Sequence, residues 1–211
     1  MAQEYGILKS STNTGNNGEL VATFSAPLNI KSNKPIFASE TMTLKRKTLK
    51  SEAQRWEVTA ALMPKVDATE LFVHTVLNGY DESFYIRMPQ VYGRTPTTPG
   101  LSFSAALSAA AGDDTLMLNS SGSAKLAVGE FVRFSGHAKI YMIKESNLVA
   151  GPLNQVKVFP KLVKAVAATE TTSYGGSVTM RVKYALDANL GISYSDGILA
   201  RVDQATFIED L

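Results

Sequence analysis

Cysteine is absent from the 211 residues. That excludes disulfides, thiolate nucleophiles and Cys-ligated zinc. Histidine occurs only twice, at His74 and His137, so acid–base chemistry has few candidate groups. Neither charge dominates: 21 Lys and Arg face 19 Asp and Glu, a formal net charge of +2. A general nucleic-acid binder usually carries a clear basic excess. No apolar run approaches the roughly 20 residues of a membrane-spanning helix. The opening residues, MAQEYGILKSSTNTGNNG, lack the apolar region of a signal peptide. The expectation is a soluble protein made in the cytosol.

What is present is apolar material in short alternating runs. Hydrophobic residues make up 45% of the chain and charged ones 19%, enough to bury one large core or two small ones. The first 40 residues are loosely patterned, with a polar loop at Ser10–Glu19 and a short strand over Leu20–Phe24. TMTLKRKTL (Thr41–Leu49) and AQRWEVTAALM (Ala53–Met63) read as strands flanking a polar turn. In the second, Trp56, Val58 and Ala60 share one face, and Arg55, Glu57 and Thr59 the other.

One helix is predicted next. Asp67 is its N-cap, Glu70 completes a capping box, and Gly79 stands at the C-terminal position. Such a helix, about 11 residues and about 16 Å long, puts Leu71, Phe72, Thr75 and Val76 on one stripe. A strand over Ser83–Met88 follows.

The composition then changes. GRTPTTPG (Gly93–Gly100) is a linker. Beyond it come LSFSAAL, DTLMLN, GEFVRF, HAKIYMIK and NQVKVFP, separated by GDD, SSGS, SGH and AGP. This spacing reads as a small barrel or sandwich. AATETTSYGGS (Ala167–Ser177) reads as a second linker, and longer alternating strands resume at Val178–Leu186 and Gly197–Leu211. The simplest organisation is a host domain, residues 1–94 and 173–211, carrying an inserted β-module at 95–172. Loop insertions cost little closure entropy. The alternative is one large β-sandwich with long loops.

The sequence nominates no catalytic, cofactor-binding or metal-binding residue. His74 with Glu70 reads as an exposed helix face, and His137 as part of a hairpin turn. GNNG and YGGS lack the strand–loop–helix context of a phosphate loop. Asp113–Asp114 falls far short of a calcium loop and reads as a solvated turn. Asn119-Ser120-Ser121 matches a glycosylation triplet, which has no meaning without secretion. The densest charge is LKRKTLK (Leu44–Lys50). It suits a pore lining, an acidic neighbouring subunit, or a lysine-protected strand edge.

The order of parts resembles a known family. AQRWEVTAALMP, a capped helix, FYIRMPQVYG and a Pro/Gly linker resemble the ring-forming β-fold of phage tail proteins. AGDDTLMLNSSGSAKLAVGEFVRFSGHAKIYMIKE and NQVKVFPKLVKAV look like the second domain of the distal tail proteins of long-tailed, siphovirus-type bacteriophages. The resemblance covers most of residues 40–211. It implies a mainly β protein with one clear helix: a tail-tube-like β-sandwich or split barrel, and an inserted OB-like β-barrel projecting outward. It implies a non-enzymatic virion protein, without cofactors, in the phage tail. There a ring, typically hexameric, joins the tail tube to the tail tip or baseplate hub and to fibre proteins. DNA only passes through its lumen. Lys45, Arg46 and Lys47 are the candidate subunit or tube contact. Two other functions remain open on the residues: a tail-tube (major tail) subunit, and a stand-alone carbohydrate- or single-strand-binding module using Phe131, Phe134, Tyr141 and Phe159.

Overall fold

The computed structural model describes residues 7–9, 20–25, 27–40, 46–50, 53–63, 65–66, 77, 81–89, 102–122, 124–175, 178–185, 191–195, 199–201 and 204–211. Before residue 90 the strands are β1 (Ile7–Lys9), β2 (Leu20–Thr23), β3 (Asn29–Asn33), β4 (Ile36–Glu40), β5 (Arg46–Lys50), β6 (Arg55–Ala60), β7 (Lys65–Val66) and β8 (Phe84–Arg87). Then come β9 (Phe103–Ala105), β10 (Thr115–Ser120), β11 (Phe131–Phe134), β12 (Tyr141–Ala150), β13 (Leu153–Phe159) and β14 (Thr171–Tyr174). The last four are β15 (Thr179–Tyr184), β16 (Ser193–Ser195), β17 (Leu199–Arg201) and β18 (Ala205–Glu209).

The mainly β class is observed, but the one clear helix is not. No element among the described residues is a helix. The predicted segment, Asp67–Gly79, lies outside the described residues apart from Leu77. Directly before it, Lys65 and Val66 pair with Ala200 and Leu199. These two residues precede the predicted N-cap, Asp67, and Leu77, the one described residue of the segment, lies in a helical turn.

Seven antiparallel strands form the larger sheet, in the order β2-β1-β8-β15-β18-β6-β3. Its core face follows from the period-2 alternation of its strands. Val58 and Ala60, Phe84 and Ile86, Met180 and Val182, and Ala205 and Phe207 all point into it. Phe207 receives Phe24 edge-on at 5.5 Å, and Phe84 packs edge-on with Tyr184 at 5.4 Å. The expected facing of β6 holds, since Trp56, Val58 and Ala60 are buried while Arg55 is exposed. The sheet also curls back on itself. Phe24, just beyond β2, bridges to Leu62, just beyond β6. Ser25 N–H donates to Ala61 O at 2.9 Å and Met63 N–H to Thr23 O at 2.7 Å.

Six further strands close on each other in the order β10-β13-β12-β11-β14-β9, with β9 paired back to β10. Their own core holds Phe103, Leu118, Val132, Phe134, Tyr141, Ile143 and Val156. All six leave and rejoin the large sheet between two neighbours. β8 and β15 pair directly, and Met88 N–H donates to Val178 O at 3.0 Å where the chain departs and returns. β14 falls inside the stretch read as a linker. It joins β11 to β9, so the barrel runs to Tyr174, past the expected boundary at 172. The remaining strands form a three-stranded sheet, β16-β17-β7, and a two-stranded ribbon, β4-β5.

Candidate interaction surfaces

The barrel meets the sheet along a seam built from alternate residues of β11. Val132 and Phe134 turn into the barrel core, whereas Phe131 joins the core of the large sheet, with Ile140, Met142 and Phe159 beside it. Trp56 stands between them, edge-on to Phe131 at 5.3 Å and to Phe159 at 5.9 Å. Its indole N–H donates to Ile140 O at 3.1 Å. Arg133, the other outward residue of β11, donates through Nη1 to Thr179 O at 3.0 Å and Thr179 Oγ1 at 3.1 Å.

A buried ion pair lies at the centre of this seam. Lys139 and Glu209 have side chains 3% and 0% exposed. Lys139 Nζ donates to Glu209 Oε2 at 2.5 Å and to Gln54 O at 2.8 Å. Trp56 N–H donates to Glu209 Oε2 and Ile140 N–H to Glu209 Oε1, each at 3.1 Å. One carboxylate thus collects donors from both bodies. Burial lowers the Lys139 pKa, and the Glu209 charge and hydrogen bond partly restore it.

The aromatics considered for ligand stacking are consumed by packing. Phe134 and Tyr141 are wholly buried in the barrel, and Phe131 and Phe159 pack in the seam. His137 closes the turn as expected, its N–H donating to Phe134 O at 3.0 Å, and is buried there. Tyr141 Oη accepts the Val163 N–H at 3.2 Å and shares a hydrogen bond with His137 Nδ1, 2.9 Å away. Burial pushes the Tyr141 hydroxyl up to about 12. Burial likewise lowers the His137 pKa, against the opposing Glu170 charge. This bond lies among the packed aromatic rings of the barrel core, with Phe134 beside both partners.

The remaining polar candidates are turn chemistry. Asp113 Oδ2 accepts the Ala110 N–H at 2.8 Å, and Asp114 Oδ1 accepts the Thr115 hydroxyl at 2.9 Å. Both acids line a shallow pocket of about 350 Å³ with Gly112, Thr115 and Lys161. Among the described residues no three His, Asp or Glu side chains converge to hold a metal. His74 lies outside the described residues.

Of the three predicted contact residues, Lys45 lies outside the described residues. Arg46 stands opposite Glu40, and Lys47 opposite Ser39, in the β4-β5 ribbon. β5 does not pair with β6, its neighbour in sequence, because β3 and β18 occupy the two edges of β6. Three further surfaces were not foreseen. β2 and β3 end the large sheet, and four of the five residues of β3 are exposed. The β12-β13 hairpin also extends past β11, which pairs only with Tyr141 and Met142 of β12. Its tip exposes Leu148 and Val149. No family model matches the chain, and no curated protein matches it in sequence.

Proposed function

We propose that this protein is a structural ring subunit of a phage tail, the distal ring that joins the tail tube to the tip or baseplate hub. In this reading the curled seven-stranded sheet is the tail-tube-like domain that builds the ring. The barrel inserted between β8 and β15 is the OB-like domain outside it. Tail-tube protein binds one face of the ring, tip, hub or fibre proteins bind the other, and DNA passes through the lumen. The resemblance in part order supports this reading.

The observation that carries it is the β4-β5 ribbon. Its two strands pair with each other and with no other described strand. A lone two-stranded hairpin is marginally stable in water and needs a further strand or surface. A neighbouring subunit or the tube supplies that surface. The large sheet adds a different edge, the exposed β3, whereas the end of β2 is bonded to Ala61 and Met63 after β6. Unlike edges favour heterologous contacts, which close into a ring when the rotation permits.

Negative-stain micrographs and particle mass of the purified full chain test the proposal. Closed rings are the expected outcome. Glu substitution of Lys45, Arg46 and Lys47 together shifts rings toward monomers, more strongly at low salt, where charges are less screened. A chain that stays monomeric at every concentration, with tail-tube protein present, ends the ring reading. Rings indifferent to charge reversal discard only the basic contact.

A further inference from the structure

We infer that Glu209, Lys139 and Trp56 form a positional key that holds the barrel in one orientation on the large sheet, so that the two bodies move as a rigid unit. The inference rests on the seam alone and is independent of ring formation. The apolar part of the seam, formed by Phe131, Met142 and Phe159 around Trp56, is attractive but weakly directional. Such contacts tolerate sliding. The polar part does not.

Glu209 sits on the sheet, yet its two oxygens accept from Ile140 and Lys139 of the barrel as well as from Trp56 of the sheet. Lys139 reaches back to Gln54 O beside β6, and Trp56 reaches forward to Ile140 O. Any rotation of the barrel about its two linkers breaks these bonds together. It also strands an ammonium and a carboxylate that have little access to water in the seam. Buried pairs of this kind add little net stability, because desolvation offsets their attraction, but in several systems they specify register. The Lys139 pKa, lowered mainly by burial, agrees with that balance.

The chain has no cysteine, so a single engineered pair can be spin-labelled cleanly. Lys31→Cys on β3 and Asn147→Cys on β12 place labels on exposed positions of the two bodies. The otherwise wild-type full chain is expected to give one narrow distance distribution. Lys139→Met with Glu209→Leu removes the key but keeps the apolar seam. It is expected to broaden or split the distribution while both cores stay folded. A folded double variant with the unchanged narrow distribution overturns the inference.

Glu209→Leu also frees two buried N–H groups and is destabilising for that reason. Amide hydrogen exchange of the wild-type chain therefore serves as a second measurement. Ile140 and Trp56 amides are expected to exchange as slowly as Val58 and Val156. Exchange at Ile140 on the order of a hundredfold faster than at both core valines means that the seam opens by itself, and the inference fails.

Discussion

Trp56 and Glu130 are both buried, with opposite consequences. Trp56 is 3% exposed and belongs to two bodies at once. Trp56→Ala is expected to cost about 3–5 kcal/mol, as for other buried large aromatics. Chemical denaturation measures the loss, and the native indole should emit as one shielded from water. A near-neutral substitution would mean that the seam does not form. Glu130 is fully buried. One oxygen accepts the Ala127 N–H at 3.3 Å, and the other has no partner among the described residues. Burial raises its pKa above 4.5, although the bond to Ala127 opposes the rise. In the window just above 4.5 the folded state therefore holds more protons than the unfolded one. The stability that this proton contributes is complete below the unfolded value and is lost as pH rises through the folded value. Glu130→Gln cannot titrate. Wild type should lose stability relative to it as pH rises above 4.5, measured by denaturant midpoints across pH. Parallel curves would show that Glu130 is solvated.

At the scale of elements, the barrel is a complete core with an apolar outer patch turned to the sheet. Its interior residues contact one another, whereas Phe131, Ile140, Met142 and Phe159 face the sheet. A fragment of residues 102–175 should melt cooperatively and disperse its amide signals. It should also bind an apolar dye and self-associate through the bared patch, both reduced by Phe131→Ser. A collapsed fragment would show that the barrel depends on the sheet for folding. β14 decides where such a fragment ends. Its sequence, TTSY, has strand formers, but the Thr- and Gly-rich surroundings read as linker. β12 likewise runs to Ala150, beyond its apolar part, because β13 supplies ladder bonds that its own sequence does not demand.

At the scale of the whole molecule, long-range contacts hold the parts in place. Trp56 N–H and the Glu209 carboxylate are 153 positions apart, and Lys139 and Glu209 are 70 apart. The consequence for function is geometric. In the proposed ring, a barrel held in one orientation would give every subunit the same outer profile. The ring and tube readings separate at this scale, since a tube subunit stacks into long tubes alone and a distal ring stops at one layer. Micrographs that show long tubes of the pure protein would assign it to the tube.

Alternation was legible in the sequence because it is local. A strand's side chains change face at every residue, so Trp56, Val58 and Ala60 declared a common face, and the short apolar runs after residue 100 declared strands. The candidate contact was legible only as a basic run, Leu44–Lys50. Which strand each run pairs with is not local information. Tertiary structure decided that β5 pairs with β4 and not with β6, that β14 completes the barrel, and that a lysine beside a turn is buried. Lys139 carries no sequence signal of burial, since a lysine is almost never fully buried unless paired, and its partner Glu209 lies 70 residues away.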